Sequence, residues 1–290
     1  MKMMDGRQLA NKIEEDLKQQ VQRFSSKPGL AFILVGTNEA SRSYIKMKKK
    51  ACERIGVASI DKEFPETISE IQLLEEIDWL NRDPAVDGIL VQLPLPPQIN
   101  TLKIVEAIKP EKDVDGFHPV NVGKMLLGDE SGFLPCTPHG ILELLKAYHV
   151  DLSGKHAVIL GRSNIVGKPL AAMLMQKKDG CNATVSILNS RTASLKEICL
   201  SADVLIAAIG IPFFVKKEMV KPGSVIIDVG INRIINKEGK PCIVGDVDFE
   251  TVAPLCSYIT PVPGGVGPMT IVMLLKNTIS SYLKKNHLNR

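Results

Sequence analysis

Aromatic side chains make up only 4% of the 290 residues, with a single tryptophan, so the cores must rest on Ile, Leu, Val, Ala and Met. Cysteine is sparse and scattered: Cys52, Cys136, Cys181, Cys199, Cys242 and Cys256 form no C-x-x-C pair. With the histidines also far apart, this spacing argues against a metal site and against a disulfide framework. Charge of one sign is missing too, because 36 basic residues nearly balance 32 acidic ones and leave a formal net charge of +4. So small a surplus fits either an anionic ligand or an ordinary solvated surface, and it gives no footing for nucleic acid. No apolar run approaches the roughly 18 residues of a membrane helix. The opening MKMMDGRQLANKIEEDL has no apolar stretch of the secretory kind. The expectation is a cytoplasmic protein with neither a membrane nor a nucleic-acid partner.

What is present is an alternation of helical and strand patterns, which predicts an α/β fold with largely parallel sheets in a chain long enough for two domains. A helix capped by Asp5 runs to about Phe24, a buried-strand run covers Leu30–Val35, and a helix covers Glu39–Ile55. Then follow a strand over Val57–Phe64, a helix opened by Ser69 and stopped near Asp83-Pro84, and a strand over Ile89–Leu93. The Gly-, Pro- and Asp-rich stretch from Lys109 to Thr137 is the natural domain boundary. Beyond it, Thr137-Pro138 predicts a helix to about Tyr148 with proline at the favoured first position. Strands are predicted over His156–Leu160, Thr184–Leu188, Val204–Ala208 and Ser224–Val229, with a helix over Val166–Lys177. A Gly/Pro loop, Pro261–Pro268, feeds a final helix, Met269–Lys284.

Strand, glycine turn and helix together form the layout that receives a pyrophosphate, and His156–Leu160 leads into Gly161-Arg-Ser-Asn-Ile-Val-Gly167. The spacing is not G-x-G-x-x-G: serine stands at the second glycine and the last glycine comes one residue late, so an ordinary strand–helix turn also fits. After the second strand, Ile187–Thr192 carries no acid for ribose hydroxyls but does carry Ser190 and Arg191. Arg162 and Arg191 can hold a 2′-phosphate through bidentate contacts, which favours NADP over NAD; a solvated loop arginine is the plain alternative for Arg191.

Along Asn38–Ile55, Tyr44, Met47, Ala51, Cys52 and Ile55 form an apolar arc, with Lys46, Lys49, Lys50 and Glu53 opposite. Lys48 falls inside that arc, one turn from Tyr44. A lysine short of water is suited to proton transfer, whereas one that snorkels past the arc's edge is merely structural. Gln92 is a lone polar residue in the apolar Ile89–Leu93 run, which ends in Pro94-Leu-Pro-Pro97; at a strand's carboxyl end its partner is often a ligand. In Lys112–Pro119, Asp113 and Asp115 lack the further ligands a metal needs. Asp115 reads either as a single carboxylate for a donor-rich heterocycle or as part of an Asp-Gly turn.

Six strings, in order along essentially the whole chain, carry a resemblance: Tyr44-Ile-Lys-Met-Lys48, Val91-Gln-Leu-Pro-Leu-Pro96, Lys112-Asp-Val-Asp-Gly116, Pro135-Cys-Thr-Pro138, Gly161-Arg-Ser163 and Pro261-Val-Pro-Gly-Gly-Val-Gly-Pro-Met-Thr270. Together they resemble the bifunctional methylenetetrahydrofolate dehydrogenase/cyclohydrolase family. The resemblance implies an N-terminal folate-binding catalytic domain (1–136, completed by the C-terminal helix, 269–290) and a Rossmann-like NADP-binding domain (137–268), with a cleft between them. It implies that Lys48 is catalytic, that Tyr44 neighbours it in the folate site, that Gln92 tunes it and that Asp115 anchors the pterin. Gly161, Arg162, Ser163, Ser190, Arg191 and Ile231 are then expected at NADP, and Gly264 and Gly265 in a loop over the substrate. Tetrahydrofolate one-carbon derivatives are the implied substrates, a homodimer the implied assembly, and no metal is needed. The chain departs from the family where Leu188-Asn189 stands in place of a frequent Cys-His pair. The rival readings are an NADP-dependent dehydrogenase of a small polar acid and a catalytically silent nucleotide sensor.

Overall fold

The computed structural model of the protein describes residues 2–236 and 238–286. It divides into two compact units, one of Lys12–Cys136 with Ile271–Arg290 and the other of Met1–Asn11 with Thr137–Thr270. The last four residues of the 269–290 segment lie outside the described residues.

The first unit is built on a three-stranded parallel sheet ordered Ala58–Phe64, Gly29–Val35, Gly88–Val91. Gly29–Val35 is buried along its whole length. That is the condition of a central parallel strand with crossovers on both faces, and it explains why the sequence there is uninterruptedly apolar. The chain passes from this strand to one neighbour and then crosses to the other, so the connection reverses between Gly29–Val35 and Gly88–Val91. In sheets of this kind the carboxyl ends at such a reversal form a binding crevice.

Local chemistry fixes the helices. Glu39–Ile55 starts where the Asn38 side chain accepts the Ser41 N–H and stops at Gly56, whose φ is 88°. Glu70–Arg82 opens with a capping box: the Ser69 hydroxyl accepts the Gln72 N–H, and the Gln72 side chain accepts the Ser69 N–H. The apolar face of Glu70–Arg82 meets the sheet in a core that includes Ile33, Leu73, Ile77, Leu80, Ile89 and Ile104, while Glu39–Ile55 buries Ile45, Ala51, Cys52 and Ile55. Two short helices, Thr101–Ala107 and Pro119–Leu127, escape the periodicity argument because they are too short for it. Caps announce them instead: Asn100 for the first, and for the second His118, with proline at the start.

The second unit holds a six-stranded parallel sheet ordered Lys2–Met3, Tyr258–Ile259, Val225–Asp228, Val204–Ala207, His156–Leu160, Thr184–Leu188. Here too the connection reverses, between His156–Leu160 and Val204–Ala207. Its core gathers Val158, Leu160, Leu205, Ile226 and Ile259. Residues 2–3 join this sheet by pairing with Tyr258–Ile259, which places the start of the chain in the second unit. The helix expected to start at Thr137 covers Cys136–Ala147, so Pro138 is its third residue, still in the first turn where no N–H is needed. The Val166–Lys177 helix is shorter, Gly167–Leu174. An antiparallel hairpin, Asn232–Ile235 with Pro241–Val244, adds to the expected elements.

The final helix spans Val266–Lys285 and carries Asn277, which is only 5% exposed. The Asn277 amide donates to the carbonyls of Val114 (2.8 Å) and Leu134 (3.1 Å). Leucine at this position fits the volume but strands both carbonyls away from water. Asn277→Leu is therefore expected to lower unfolding free energy by about 2–3 kcal/mol in urea titration; a loss within error would show that those carbonyls find other partners.

Candidate active site and nucleotide loops

Lys48 lies on the buried face of the Glu39–Ile55 helix, together with Ser41, Ile45, Ala51, Cys52 and Ile55. The arc read from the sequence needs one correction: Met47 is 45% exposed, and Ile45 is the buried residue. The true stripe therefore runs through Ile45, Lys48, Cys52 and Ile55 and places Lys48 at its centre. Lys48 is 8% exposed, and its Nζ donates to Gln92 Oε1 at 3.3 Å. The amine does not snorkel. Tyr44, half-buried, sits one turn earlier on the same helix. Lys49, expected on the solvent face, is half-buried and forms an ion pair with Asp61 at 2.5 Å.

Gln92 directly follows the strand Gly88–Val91, and its backbone N–H still donates to Ile33 O (2.9 Å). Its side-chain amide donates to Leu93 O at 2.9 Å, which turns Oε1 toward Lys48. The lone polar residue of an apolar strand thus has an internal partner, and that partner is the buried amine.

Asp115 comes to the same place by strand-like pairing. Ile89 bridges Asp113 in parallel, with its N–H donating to Lys112 O (2.8 Å), so the segment runs alongside the end of Gly88–Val91. Asp113 is spent on the loop itself: it accepts N–H groups from Phe117 (3.1 Å) and His118 (2.8 Å) and the Asn121 amide (2.8 Å). The turn is closed by backbone, Gly116 N–H to Asp113 O at 3.2 Å, and does not consume the Asp115 side chain. The Asp115 residue keeps some exposed surface, yet its carboxyl group lies deep. Desolvation pushes it up to about 6 against the opposing pull of the Lys48 charge, with Asp113 adding repulsion and the polar Cys136 thiol nearby favouring the ionised form. Burial and the neighbouring Asp115 push the Cys136 thiol itself well up.

Lys112 makes a useful contrast. It is as buried as Lys48, but its amine donates to Leu80 O (3.0 Å) and Asp83 O (2.9 Å) at the end of the Glu70–Arg82 helix. Its job is a C-terminal cap. Burial alone would have selected both lysines; the partners distinguish them.

In the second unit, Gly161 follows the strand His156–Leu160 with φ 114°, and its N–H donates to Leu188 O (3.0 Å). A Cβ here would lie 2.2 Å from Ala208 O, so only glycine lets the turn pass between its neighbours. The Ser163 hydroxyl accepts the N–H groups of Val166 (3.1 Å) and Gly167 (3.4 Å) where the Gly167–Leu174 helix begins. Arg162 and Ser163 both lie exposed at the surface. At the adjacent strand's end, Asn189 N–H donates to Thr192 Oγ1 (2.9 Å), and Arg191 N–H donates to Asn189 Oδ1 (2.9 Å). This closed turn presents Ser190 and Arg191 to solvent. Both arginines therefore leave from the carboxyl ends of paired strands, at residues flanking the Leu160–Leu188 register. The open glycine turn, the dipole end of the helix and the exposed guanidinium groups fit a phosphorylated dinucleotide. Ile231, 42% exposed, follows the next strand but one. Gly264 has φ 115° and accepts the Arg7 N–H (2.9 Å), while Gly265 N–H donates to Pro261 O (2.8 Å), which ties the loop to the first helix.

Two family profiles cover nearly the whole chain: the tetrahydrofolate dehydrogenase/cyclohydrolase catalytic domain over residues 4–115, and the NAD(P)-binding domain of the same family over 135–286. The chain belongs to the tetrahydrofolate dehydrogenase/cyclohydrolase family. It is 54% identical over 290 residues to the bifunctional protein FolD of Protochlamydia amoebophila, covering 99% of each chain. The crystal structure of the FolD methylenetetrahydrofolate dehydrogenase/cyclohydrolase from Campylobacter jejuni matches with TM-score 0.93 and 52% identity over 98% of this chain and 99% of that one. The Trypanosoma brucei enzyme, solved with NADP cofactor and inhibitor, matches with TM-score 0.91 and 36% identity over 99% and 98%. Membership sets aside the small-acid dehydrogenase. Among the described residues no group of three or more His, Cys, Asp or Glu is placed to hold a metal ion, and no helix is long and apolar enough to cross a membrane.

Sequence reasoning missed Cys136 and Lys112, although both lie in strings that carried the resemblance. Nothing in a string of letters shows that a thiol faces a carboxyl or that an amine caps a helix.

The position of Asp115 yields a pH test. The folded carboxyl holds its proton to higher pH than the unfolded one. Its ionisation therefore costs stability that is absent below the unfolded value of 3.8 and fully felt above about 6. Asparagine mimics the protonated form throughout. Between pH 4 and pH 8 the unfolding free energy of Asp115→Asn should gain about 1–3 kcal/mol relative to the parent, measured without ligand. A difference independent of pH would place the carboxyl in water.

Proposed function

We propose that the chain oxidises 5,10-methylenetetrahydrofolate to the methenyl form with NADP⁺ and hydrolyses the product to 10-formyltetrahydrofolate, with Lys48 as the residue that moves the proton. The observation that carries this assignment is Lys48, a residue 8% exposed whose amine is held on Gln92 Oε1 beside the Asp115 carboxyl. NADP⁺, when bound, supplies the hydride acceptor. In the hydrolytic step Lys48, acting from its neutral amine form, takes a proton from the water that adds to the methenyl carbon, and the resulting ammonium returns one to the ring nitrogen as the carbon–nitrogen bond opens. Gln92 fixes the direction of the amine through its bond to Leu93 O. Asp115 receives the amino and ring N–H groups of the pterin, and Tyr44 packs the substrate against the amine. Both steps depend on holding the one-carbon unit at a fixed place, which is where most of the rate gain arises.

For the cofactor, Gly161 allows close approach of the pyrophosphate, Arg162 and Arg191 clamp the 2′-phosphate, and Ser163, Ser190 and Ile231 complete the contacts. Gly264 and Gly265 belong to the loop assigned to the substrate. The NADP complex of the Trypanosoma brucei relative supports this choice of cofactor, as does the lack of an acid among Asn189–Thr192. The boundaries 1–136 and 137–268, a cytoplasmic location and a homodimer belong to the same proposal.

Two substitutions test it. Lys48→Met keeps length and suits the apolar face; it should cut hydrolysis of the methenyl substrate by about 100-fold or more, in line with loss of a positioned proton carrier. Exposed Lys46→Met is the control, since Lys49 is tied to Asp61. A folded Lys48→Met protein that hydrolyses at the parental rate defeats the assignment. Arg162→Ala should weaken use of NADP⁺ by about tenfold and leave NAD⁺ turnover nearly unchanged, because only the 2′-phosphate loses a charge-assisted partner. Equal loss with both nucleotides would remove Arg162 from that role.

A further inference from the structure

Two fully buried carboxylates in the second unit are not used by the chemistry above, and they lie directly behind the nucleotide loops. Asp246 is 0% exposed. Its Oδ2 accepts the N–H groups of Ile209 (2.8 Å) and Gly210 (3.0 Å), and its Oδ1 accepts the Asn232 amide (2.9 Å). Ile209 and Gly210 follow the strand Val204–Ala207, and Asn232 comes four residues after the strand Val225–Asp228. One side chain therefore ties together the loops at the carboxyl ends of two adjacent strands.

Asp228 ends the second of those strands and is 3% exposed. It accepts N–H groups from Gly230 (3.0 Å), Asp246 (2.9 Å) and Val247 (2.9 Å), so it holds the backbone that carries Asp246. Space for this arrangement is reserved by two glycines. A Cβ on Gly245 would lie 1.8 Å from Asp228 Oδ2, and one on Gly230 would lie 2.2 Å from Asp246 Oδ1. Both held loops border residues placed at the cofactor: Ala208 O and the Ile209 side chain stand against Gly161, and Ile231 immediately precedes Asn232.

We propose that Asp246, held in place by Asp228, is a positioning residue for the dinucleotide site, fixing Ala208–Gly210 against the Gly161 turn and the Gly230–Asn232 segment that carries Ile231. Two negative groups in one apolar site are costly, and three donated hydrogen bonds to each are what keep them there. A simpler loop would need neither. The inference rests on the reading of the Gly161 turn as the nucleotide site. Its specific content is that Asp246 affects nucleotide affinity and leaves the nucleotide-independent hydrolysis alone.

The test compares Asp246→Ala, Asp246→Asn and Asn232→Ala with the parent by NADPH fluorescence titration, by the KM for NADP⁺, and by methenyl hydrolysis in the absence of nucleotide. Asp246→Ala strands three donors and should weaken NADPH binding about tenfold or more, with hydrolysis within about twofold of the parent. Asp246→Asn keeps an oxygen for Ile209 and Gly210, and a turned-over Asn232 amide can accept from its new N–H. It should therefore recover to within about threefold of parental affinity. Should Asp246→Ala fail to fold, Asn232→Ala, which frees only one loop, should still weaken NADPH binding about threefold with hydrolysis intact. Parental NADPH affinity in Asp246→Ala, or in Asn232→Ala, overturns the proposal. So does parallel loss of binding and hydrolysis, which would mark Asp246 as merely structural. A parent protein that does not bind NADPH would instead overturn the nucleotide reading on which the inference stands.

Discussion

Keeping the Lys48 amine out of bulk water is the constraint around which the first unit's site is arranged. A lysine so buried is tolerated only where polar partners replace its hydration. Each neighbouring element supplies one. The end of the Gly88–Val91 strand provides Gln92 Oε1, and the segment bridged to Ile89 brings the Asp115 carboxyl. The helix contributes the apolar surround through Ile45, Cys52 and Ile55. Removing any one leaves the amine with less than it needs. The site is therefore a consequence of where the sheet reverses its connection, because that reversal lets a helix and two strand ends converge.

The nucleotide half solves a different problem, how to begin a helix directly behind the glycine turn without the usual third-position glycine. Val166, at the formal start of the Gly167–Leu174 helix, has no side chain able to cap it. The Ser163 hydroxyl takes over by accepting the Val166 and Gly167 N–H groups. The extra residue in the turn is what brings that hydroxyl within reach. Gly167 then packs closely on Gly161, where a Cβ would lie 2.2 Å from the carbonyl oxygen. The irregular spacing that weakens the motif as a pattern of letters is thus the same feature that completes the turn.

Long, strongly patterned elements were legible in the sequence. Glu39–Ile55, His156–Leu160 and Thr184–Leu188 have the expected limits, and the parallel sheets follow from the alternation of helix and strand. Short elements were not legible: Lys2–Met3 and Tyr258–Ile259 exist because they pair with each other across the length of the chain. At the site, Lys48 was visible as a charge out of place, but periodicity chose Met47 over Ile45 for the buried stripe. A hydrophobic arc broad enough to admit both cannot tell which one the sheet will cover. The roles of Lys112, Asp113 and Asp246 depend on which backbone groups lie within about 3 Å, and no one-dimensional pattern encodes that.

Asp113 and Asp115 show how the structure separates two chemically identical groups. Asp113 is satisfied by three donors from its own loop and has nothing left to offer a ligand. Asp115, two residues on, is pushed up to about 6 by desolvation and has the Cys136 thiol and the Lys48 charge as its counterweights. If stability alone shaped the site, an amide or apolar side chain would serve better there, since the ionised carboxylate weakens the unliganded fold at neutral pH. A group that costs stability in the empty site and can be repaid by a ligand's N–H donors is what a binding residue should look like. The same reasoning applied to Asp246 leads the other way: its oxygens are already engaged by Ile209, Gly210 and Asn232, so it can act on a ligand only through the loops it holds.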